Sequence, residues 1–215
     1  MDRARWILLW AIAVIGVGSC ALQLYLNMTG HPDHTPLWRL VDFLGYFTNT
    51  TAILATVVAI LALARPASIL AQPGAVTATA VYILVVAVTY EWLLRGPTHG
   101  LRVIANIGVH EALPALVILL WLLFTPKAGL CWSQPLTWVI YPAVYIAWIL
   151  AHGAVTHSYP YFFADVNKLG YPRALINGAA FLLVFYLLGL GAVAFGRLPF
   201  LKGNNVPVPF RAETS

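Results

Sequence analysis

Two residues inside apolar runs of this chain, Thr48 and His110, have the chemistry of a nucleophile and its base. A threonine hydroxyl attacks a carbonyl carbon once a base has removed its proton, and a neutral imidazole accepts that proton near neutral pH. Asn106 lies four residues before His110 and is placed to orient the ring, while Asn49 or main-chain amides beside Thr48 could stabilise an oxyanion. These residue types predict a pair able to cleave an ester.

Acidic side chains accompany this pair. Asp42 lies one to two helical turns before Thr48, and Glu91 approaches the same surface near the end of another apolar run. Glu111 is adjacent to the histidine, so on a helix it points about 100° away and is a poor candidate for orienting the ring. We expect the three carboxyl groups to support the site, although Glu91 has the alternative of pairing with Arg95 at i+4.

Both members of the pair also have a structural interpretation. Threonine in a membrane helix commonly bonds a carbonyl of its own helix or fills a small packing site. An intramembrane histidine, by contrast, usually lines a cavity or a proton relay. The residues alone leave both interpretations of Thr48 open.

An aromatic stretch, Tyr159 to Phe163, lies in one of the two longest loops, and Asn177 follows it near the start of the last apolar run. Aromatic rings of this kind form belts at the membrane interface. The alternative is a lid over a pocket that lipid can enter. We include Tyr159 and Asn177 among the candidate site residues.

The elements that position these residues are membrane helices. The chain has 215 residues, 61% of them hydrophobic and 9% charged, with a mean hydropathy of +0.83. About 20 apolar residues cross a bilayer core, and the sequence predicts an all-α polytopic bundle of six transmembrane helices in a single domain over residues 1–203, with a disordered tail at 204–215. The predicted spans are Trp6 to Leu26, Leu40 to Ala64, Ala75 to Leu94, Val103 to Phe124, Pro135 to His152 and Arg173 to Phe195.

The predicted spans place the nucleophile and the base at similar depths in the membrane. Thr48 lies about eight residues after the start of its predicted span, and His110 about seven after the start of its own. At 1.5 Å per residue both are roughly 10 to 12 Å below the same surface. The opposite half of every span has almost no such groups, which predicts a polar pocket open to one side.

Loop charges predict the orientation. If the N-terminus is cytoplasmic, that side carries a small excess of basic residues, which favours both termini inside. Arg3 and Arg5 precede a lipobox-like Gly18-Ser19-Cys20, but apolar sequence continues to Leu26 and favours a retained span over cleavage. We expect no disulfide, because the two cysteines fall on opposite sides. The basic residues are Arg3, Arg5, Arg65, Lys127, Arg197, Lys202 and Arg211 inside, and Arg39, Arg95, Arg102, Lys168 and Arg173 outside.

Several function classes are excluded or disfavoured. The net charge of +5 is better explained by topology and anionic lipid heads than by nucleic acid, because no basic-aromatic recognition motif is present. The sequence contains no His-x3-His or Cys-x2-Cys metal spacing. A retinal-type Schiff base fails because every lysine lies outside the predicted spans. We expect no metal or organic cofactor.

An ordered set of motifs resembles the androgen-induced membrane protein family, in its bacterial Pr6Pr-type branch. Characterised animal members are multi-span threonine hydrolases that cleave fatty acid esters of hydroxy fatty acids (FAHFAs), and the resemblance implies Thr48 as nucleophile and His110 as base. The chain differs from the family pattern at Ala52, Ser158 and Phe162, which affects pocket shape more than the reaction. The motifs are Tyr46-Phe47-Thr48, Asn106-x3-His110-x3-Pro114, Tyr141-Pro142-x2-Tyr145, and Tyr159 to Asp165 with Asn177.

The sequence therefore predicts an intramembrane esterase of the bacterial cytoplasmic membrane that takes a lipid ester from the bilayer. Two alternatives belong to other classes. A small transporter or channel would use His110, Glu91 and Asp42 to bind a solute or relay protons, and would need polar positions across the whole membrane. A scaffold would use the polar groups only to join helices, and would then tolerate Thr48→Ser and Thr48→Ala alike.

Overall fold

A computed structural model describes residues 2–30 and 32–198, and these residues form an all-α bundle with six helices long and apolar enough to cross a membrane. The predicted tail at 204–215 lies outside the described residues. The prediction of six spans is confirmed. The helical elements are α1 (Arg3–Gly30), α2 (Pro36–Gly45), α3 (Phe47–Ala64), α4 (Pro73–Thr89), α5 (Leu101–Ile107), α6 (Leu113–Phe124), α7 (Gln134–Trp138), α8 (Ile140–Thr156) and α9 (Val166–Phe195), with short 3-10 turns at Ile69–Ala71 and Phe162–Ala164.

Consecutive spans run antiparallel, so the candidate residues collect at one end of the bundle. Hydrogen bonds from Asn27 to Asp42 and from Gln23 to Asn106 join helices there. We call this end the site end. The span that begins with α4 is the most buried of the six, and it packs between two hydrophobic clusters, one built on α1, α3 and α6 and the other on α3, α8 and α9.

The second span starts later than predicted. The apolar run from Leu40 is broken at Tyr46, whose backbone is extended (φ −90°, ψ 126°), so that Leu40 belongs to the separate helix α2 and the span begins at Phe47. Thr48 is thus the second residue of α3 and lies in its first turn. The depth calculated for Thr48 was therefore wrong, because continuous hydrophobicity concealed a break in the backbone.

Two spans contain a turn of π-helix near the site. One, Tyr90–Leu94, continues α4, and the other, Gly108–Ala112, separates α5 from α6. Pro114 explains the second, because proline has no N–H to bond the carbonyl four residues earlier, that of His110; Leu113 N–H bonds Gly108 O instead. Such turns are rare and frequently occur at functional sites.

Prolines and a glycine also shape the last two spans. Pro142 cannot donate to the carbonyl of Trp138, and the Tyr82 hydroxyl donates to that oxygen at 2.6 Å. In α9 the helical path is interrupted at Gly170, with φ +72°, a conformation that favours glycine. The fifth and sixth spans consequently begin with short segments that are offset from the main helix.

Candidate functional site

A polar cavity of about 330 Å³ lies at the site end, and both Thr48 and His110 line it. Asp42, Asn49 and Asn106 line the same cavity. The structure thus brings together five of the nine residues selected from the sequence. Its other walls come from α1, α2, the break before α3, the π-helical turn after α4, α5 and the loop before α9. They comprise Gln23, Leu26, Asn27, Phe43, Tyr46, Tyr90, Leu94, Arg102, Pro160 and Tyr161.

The hydroxyl of Thr48 differs from those of neighbouring buried threonines. Thr56, Thr77 and Thr79 each donate to the carbonyl four residues earlier in their own helix. Among the described residues, no hydrogen bond joins the Thr48 hydroxyl to a main-chain carbonyl, and this hydroxyl instead lies within hydrogen-bonding reach of the Tyr161 hydroxyl. The common structural role of a membrane threonine therefore does not account for Thr48.

Two phenolic hydroxyls cap the start of α3. The N-cap residue Tyr46 provides no side-chain hydrogen bond, and the amide of Phe47 instead lies 3.1 Å from the hydroxyls of both Tyr145 and Tyr161. The Tyr161 hydroxyl also interacts with Thr48. Since the first amides of a helix have no partner within it, these phenols satisfy the amide of Phe47. Burial raises the pKa of Tyr161, so its hydroxyl stays neutral at physiological pH.

The ring of His110 is held on two sides. It stacks on Tyr90 with centroids 3.8 Å apart and an interplanar angle of 13°, and its Nδ1 lies 3.2 Å from the carbonyl oxygen of Asn106. A carbonyl oxygen only accepts, so this contact requires a proton on Nδ1 and leaves Nε2 with the lone pair that a base needs. Asn106 thus orients His110 through its main chain, whereas the sequence suggested its side chain.

No hydrogen bond joins Thr48 to His110 among the described residues, although both line one cavity. Catalytic hydrogen bonds are often long in the absence of substrate and tighten once it is bound. The arrangement accordingly has a base and a hydroxyl facing common space, with room between them.

The remaining acidic residues lie outside the cavity. The guanidinium of Arg95 contacts Glu91 and Glu111, each at 2.6 Å, and it lies 5.7 Å above the Tyr90 ring. The i+4 alternative for Glu91 is therefore what the structure shows. The bridge ties the two π-helical turns together, next to the Tyr90 and His110 stack.

Three further predicted residues have supporting positions. The side-chain amide of Asn49 donates to the carbonyl of Phe43 at 2.8 Å, across the break between α2 and α3. The side-chain amide of Asn177 donates to the carbonyl of Phe163 at 2.8 Å and fixes the loop before α9. Tyr159 packs against Gly153 in α8 and does not line the polar cavity.

Sequence reasoning missed two polar residues of α1. Gln23 donates to the Asn106 side chain at 3.3 Å, and Asn27 donates to Asp42 at 2.7 Å. Among the described residues, the buried Oδ1 atom of Asn27 has no hydrogen-bond partner. Their spacing of four residues inside an apolar helix places them on one face, and that signal could have revealed them.

A second, narrower cavity of about 70 Å³ adjoins the first. It lies between α4, α8, α9 and the loop before α9, and its walls are almost entirely apolar. Thr48, Leu94 and Tyr161 line both cavities. Sequence analysis did not predict this cavity. In the aromatic loop, Tyr161 is buried in the wall of this cavity while Phe162 is exposed.

Fold and site together define a class: the chain is an integral membrane protein of six helical spans, with a polar cavity in one end that adjoins an apolar one. Within residues 2–30 and 32–198, no three His, Cys, Asp or Glu side chains come together as a metal site would require. Comparison with family models, with curated proteins and with solved structures gave no match.

Proposed function

We propose that this protein is an intramembrane threonine hydrolase that cleaves lipid esters, either FAHFAs or similar amphiphiles. The proposal rests on the position of the Thr48 hydroxyl in the first turn of α3. Among the described residues it bonds no carbonyl of its own helix, and it shares a cavity with His110, whose Nε2 carries the lone pair of a base. The motif resemblance selects the same two residues.

The reaction follows from this geometry. Thr48 Oγ1 attacks the acyl carbonyl carbon while His110 Nε2 takes the hydroxyl proton, and the tetrahedral intermediate collapses as His110 returns that proton to the leaving alcohol. Water, deprotonated by the same nitrogen, then attacks the acyl carbonyl carbon of the acyl-threonine; the bond to Thr48 Oγ1 breaks as His110 Nε2 returns the proton to that oxygen, and the fatty acid is released. The Asn106 carbonyl keeps the ring in the required tautomer throughout.

The start of α3 offers donors for the oxyanion. The amides of Phe47 and Thr48 are the first of the helix, where the helix dipole also favours negative charge. A substrate carbonyl oxygen at this position would replace the Tyr161 hydroxyl as their acceptor. These amides are better placed than Asn49, whose side-chain amide already donates to a carbonyl.

The test compares purified variants in detergent, using a fluorogenic medium-chain ester and a branched fatty acid ester. Thr48→Ala and His110→Ala should each lose at least about a hundredfold in kcat/KM, and Thr48→Ser should keep part of the activity. Thr56→Ala is the matched control, because Thr56 is equally buried in α3 but bonds its own helix. Equal turnover in folded Thr48→Ala and parent protein, or none with either ester, would favour the transporter or the scaffold.

The membrane context belongs to the same proposal. We infer a location in the bacterial cytoplasmic membrane with both termini inside, so that the polar cavity opens to the outer side and the bilayer supplies the substrate. The basic residues of the loops support this orientation. Reporter fusions should place the C-terminus inside and the loop between α1 and α2 outside; the loop inside and the C-terminus outside would refute this orientation.

A further inference from the structure

The two cavities meet at the residue that would attack the ester. Thr48, Leu94 and Tyr161 form their common wall. On one side lie Asp42, Asn27 and other polar groups, and on the other side lie only apolar and aromatic groups with a few hydroxyls, none of them charged among the described lining residues. An ester bond held at Thr48 therefore has one polar and one apolar space on either side of it.

We propose that the apolar cavity is a subsite for one unbranched hydrocarbon arm of the substrate, and that the polar arm occupies the polar cavity. The proposal rests on the proposed function, because Thr48 is the point at which the arms join. It makes the substrate an asymmetric amphiphile, with one apolar arm and a second arm that carries a polar group.

The volume of the cavity limits it to a single chain. A water-sized group needs about 10–15 Å³ of such space, so about 70 Å³ admits a file of roughly five to seven such groups. Ala174 and Gly178, on α9, provide small side chains on one wall, and Phe181 and Phe185 follow on the same helix. A chain branched close to the ester would meet these rings.

Shape must provide the selectivity here, because the bilayer is as apolar as the cavity. Transfer of a hydrocarbon chain from lipid tails into a protein cavity gains little from the hydrophobic effect, and packing contacts decide which chain is held. We therefore expect exclusion of bulky arms to matter more than a gain in affinity for each added methylene.

Tyr161 is the residue that separates the two arms. Its ring stacks on Phe163 at 5.0 Å, Phe163 stacks on Phe181 at 4.8 Å, and this series forms the wall of the apolar cavity at the site end. Its hydroxyl faces Thr48 and the α3 amides. Tyr161 is thus a positioning residue that connects the shape of the chain subsite to the nucleophile.

The test narrows the subsite from within. Ala174→Leu fills the apolar cavity, and Ala192→Leu is its control: it lies on the same helix, is also buried, and faces a separate apolar cavity of about 230 Å³. We expect Ala174→Leu to lower kcat/KM for a linear decanoate ester by about tenfold or more while changing an acetate ester less than about twofold. Ala192→Leu should change neither.

A second variant widens the subsite and covers the case in which Ala174→Leu does not fold. Phe181→Ala should raise the rate for an ester branched beside the carbonyl relative to the linear ester, by about tenfold. Unchanged ratios between linear, branched and acetate esters in either folded variant would overturn the subsite, even if hydrolysis itself depends on Thr48 and His110.

A binding measurement distinguishes failure of the subsite from failure of the proposed function. Native mass spectrometry of the Thr48→Ala protein with a decyl ether, which cannot be hydrolysed, should show one bound molecule, and adding Ala174→Leu should remove it. Binding that depends on Ala174 without any ester hydrolysis by the parent would keep the subsite and refute the hydrolase. Binding unaffected by Ala174→Leu would refute the subsite.

Discussion

Removing one oxygen atom from Tyr161 tests how the start of α3 is held. In Tyr161→Phe the ring and the cavity wall remain, but one of the two hydroxyls that bond the Phe47 amide is lost. The Phe47 amide keeps the Tyr145 hydroxyl at 3.1 Å. Loss of one such hydrogen bond costs about 0.5–1.5 kcal/mol, and this is the expected loss in free energy of unfolding.

Turnover should fall further than stability suggests. The Tyr161 hydroxyl also lies beside the Thr48 hydroxyl, so its removal lets the nucleophile move, and a displacement of about 1 Å can cost about a hundredfold in rate. We expect kcat to decrease by about tenfold to a hundredfold with little change in KM. The assays are ester hydrolysis and unfolding in the same detergent.

Tyr82→Phe is the control for this change. Tyr82 is as well buried as Tyr161, and its hydroxyl also satisfies a main-chain group, the carbonyl of Trp138, but it lines neither cavity of the site. It should lose a comparable amount of stability and keep its turnover. Equal losses of kcat in Tyr82→Phe and Tyr161→Phe, or a Tyr161→Phe protein as stable as the parent, would refute the reasoning.

Three further predictions concern the surroundings of the site. Gly108→Ala should destabilise the protein by about 1–3 kcal/mol, because the added Cβ collides with Ser19 on α1. Gly18→Ala should be neutral or slightly stabilising, because no described atom outside its own helix lies within 4 Å of the added Cβ. Unfolding midpoints of the two variants test this difference. Arg95→Gln should lower the midpoint only slightly, and the difference should shrink in high salt because its ion pairs are exposed. Asn177→Ala should increase cleavage of the loop before α9 in limited proteolysis, since its hydrogen bond fixes that loop.

The membrane fold could be predicted because the bilayer imposes it. Six apolar runs of sufficient length have few alternatives to six helices, since every main-chain polar group in lipid must be satisfied within the protein. The beginning of the second span could not be predicted in the same way. Leu40 to Gly45 is apolar except for Asp42 and continues into the span without a turn signal. The break at Tyr46 depends on distant hydroxyls, those of Tyr145 and Tyr161, that satisfy the freed groups.

The site was predictable in its residues but less so in their roles. Thr48 and His110 stood out because polar side chains are costly in a bilayer. The roles of Asn106 and Asn49 differ from expectation because backbone carbonyls close to the π-helical turn and to the break before α3 take part in the bonding. No local pattern in the sequence reports which carbonyls are free.

The distribution of polar groups supports a hydrolase over a transporter. A transporter needs a polar path to the second surface, but in the described opposite half the buried polar side chains are hydrogen-bonded. Thr77 donates to Pro73 and accepts from the Trp121 indole, and the Lys127 ammonium binds three carbonyls at the end of α6. The cavity in that half is lined by apolar residues. The polar cavity ends at Thr48 and the apolar cavity begins there. This arrangement suits an amphiphile whose ester bond lies at Thr48, between its polar arm and its apolar arm.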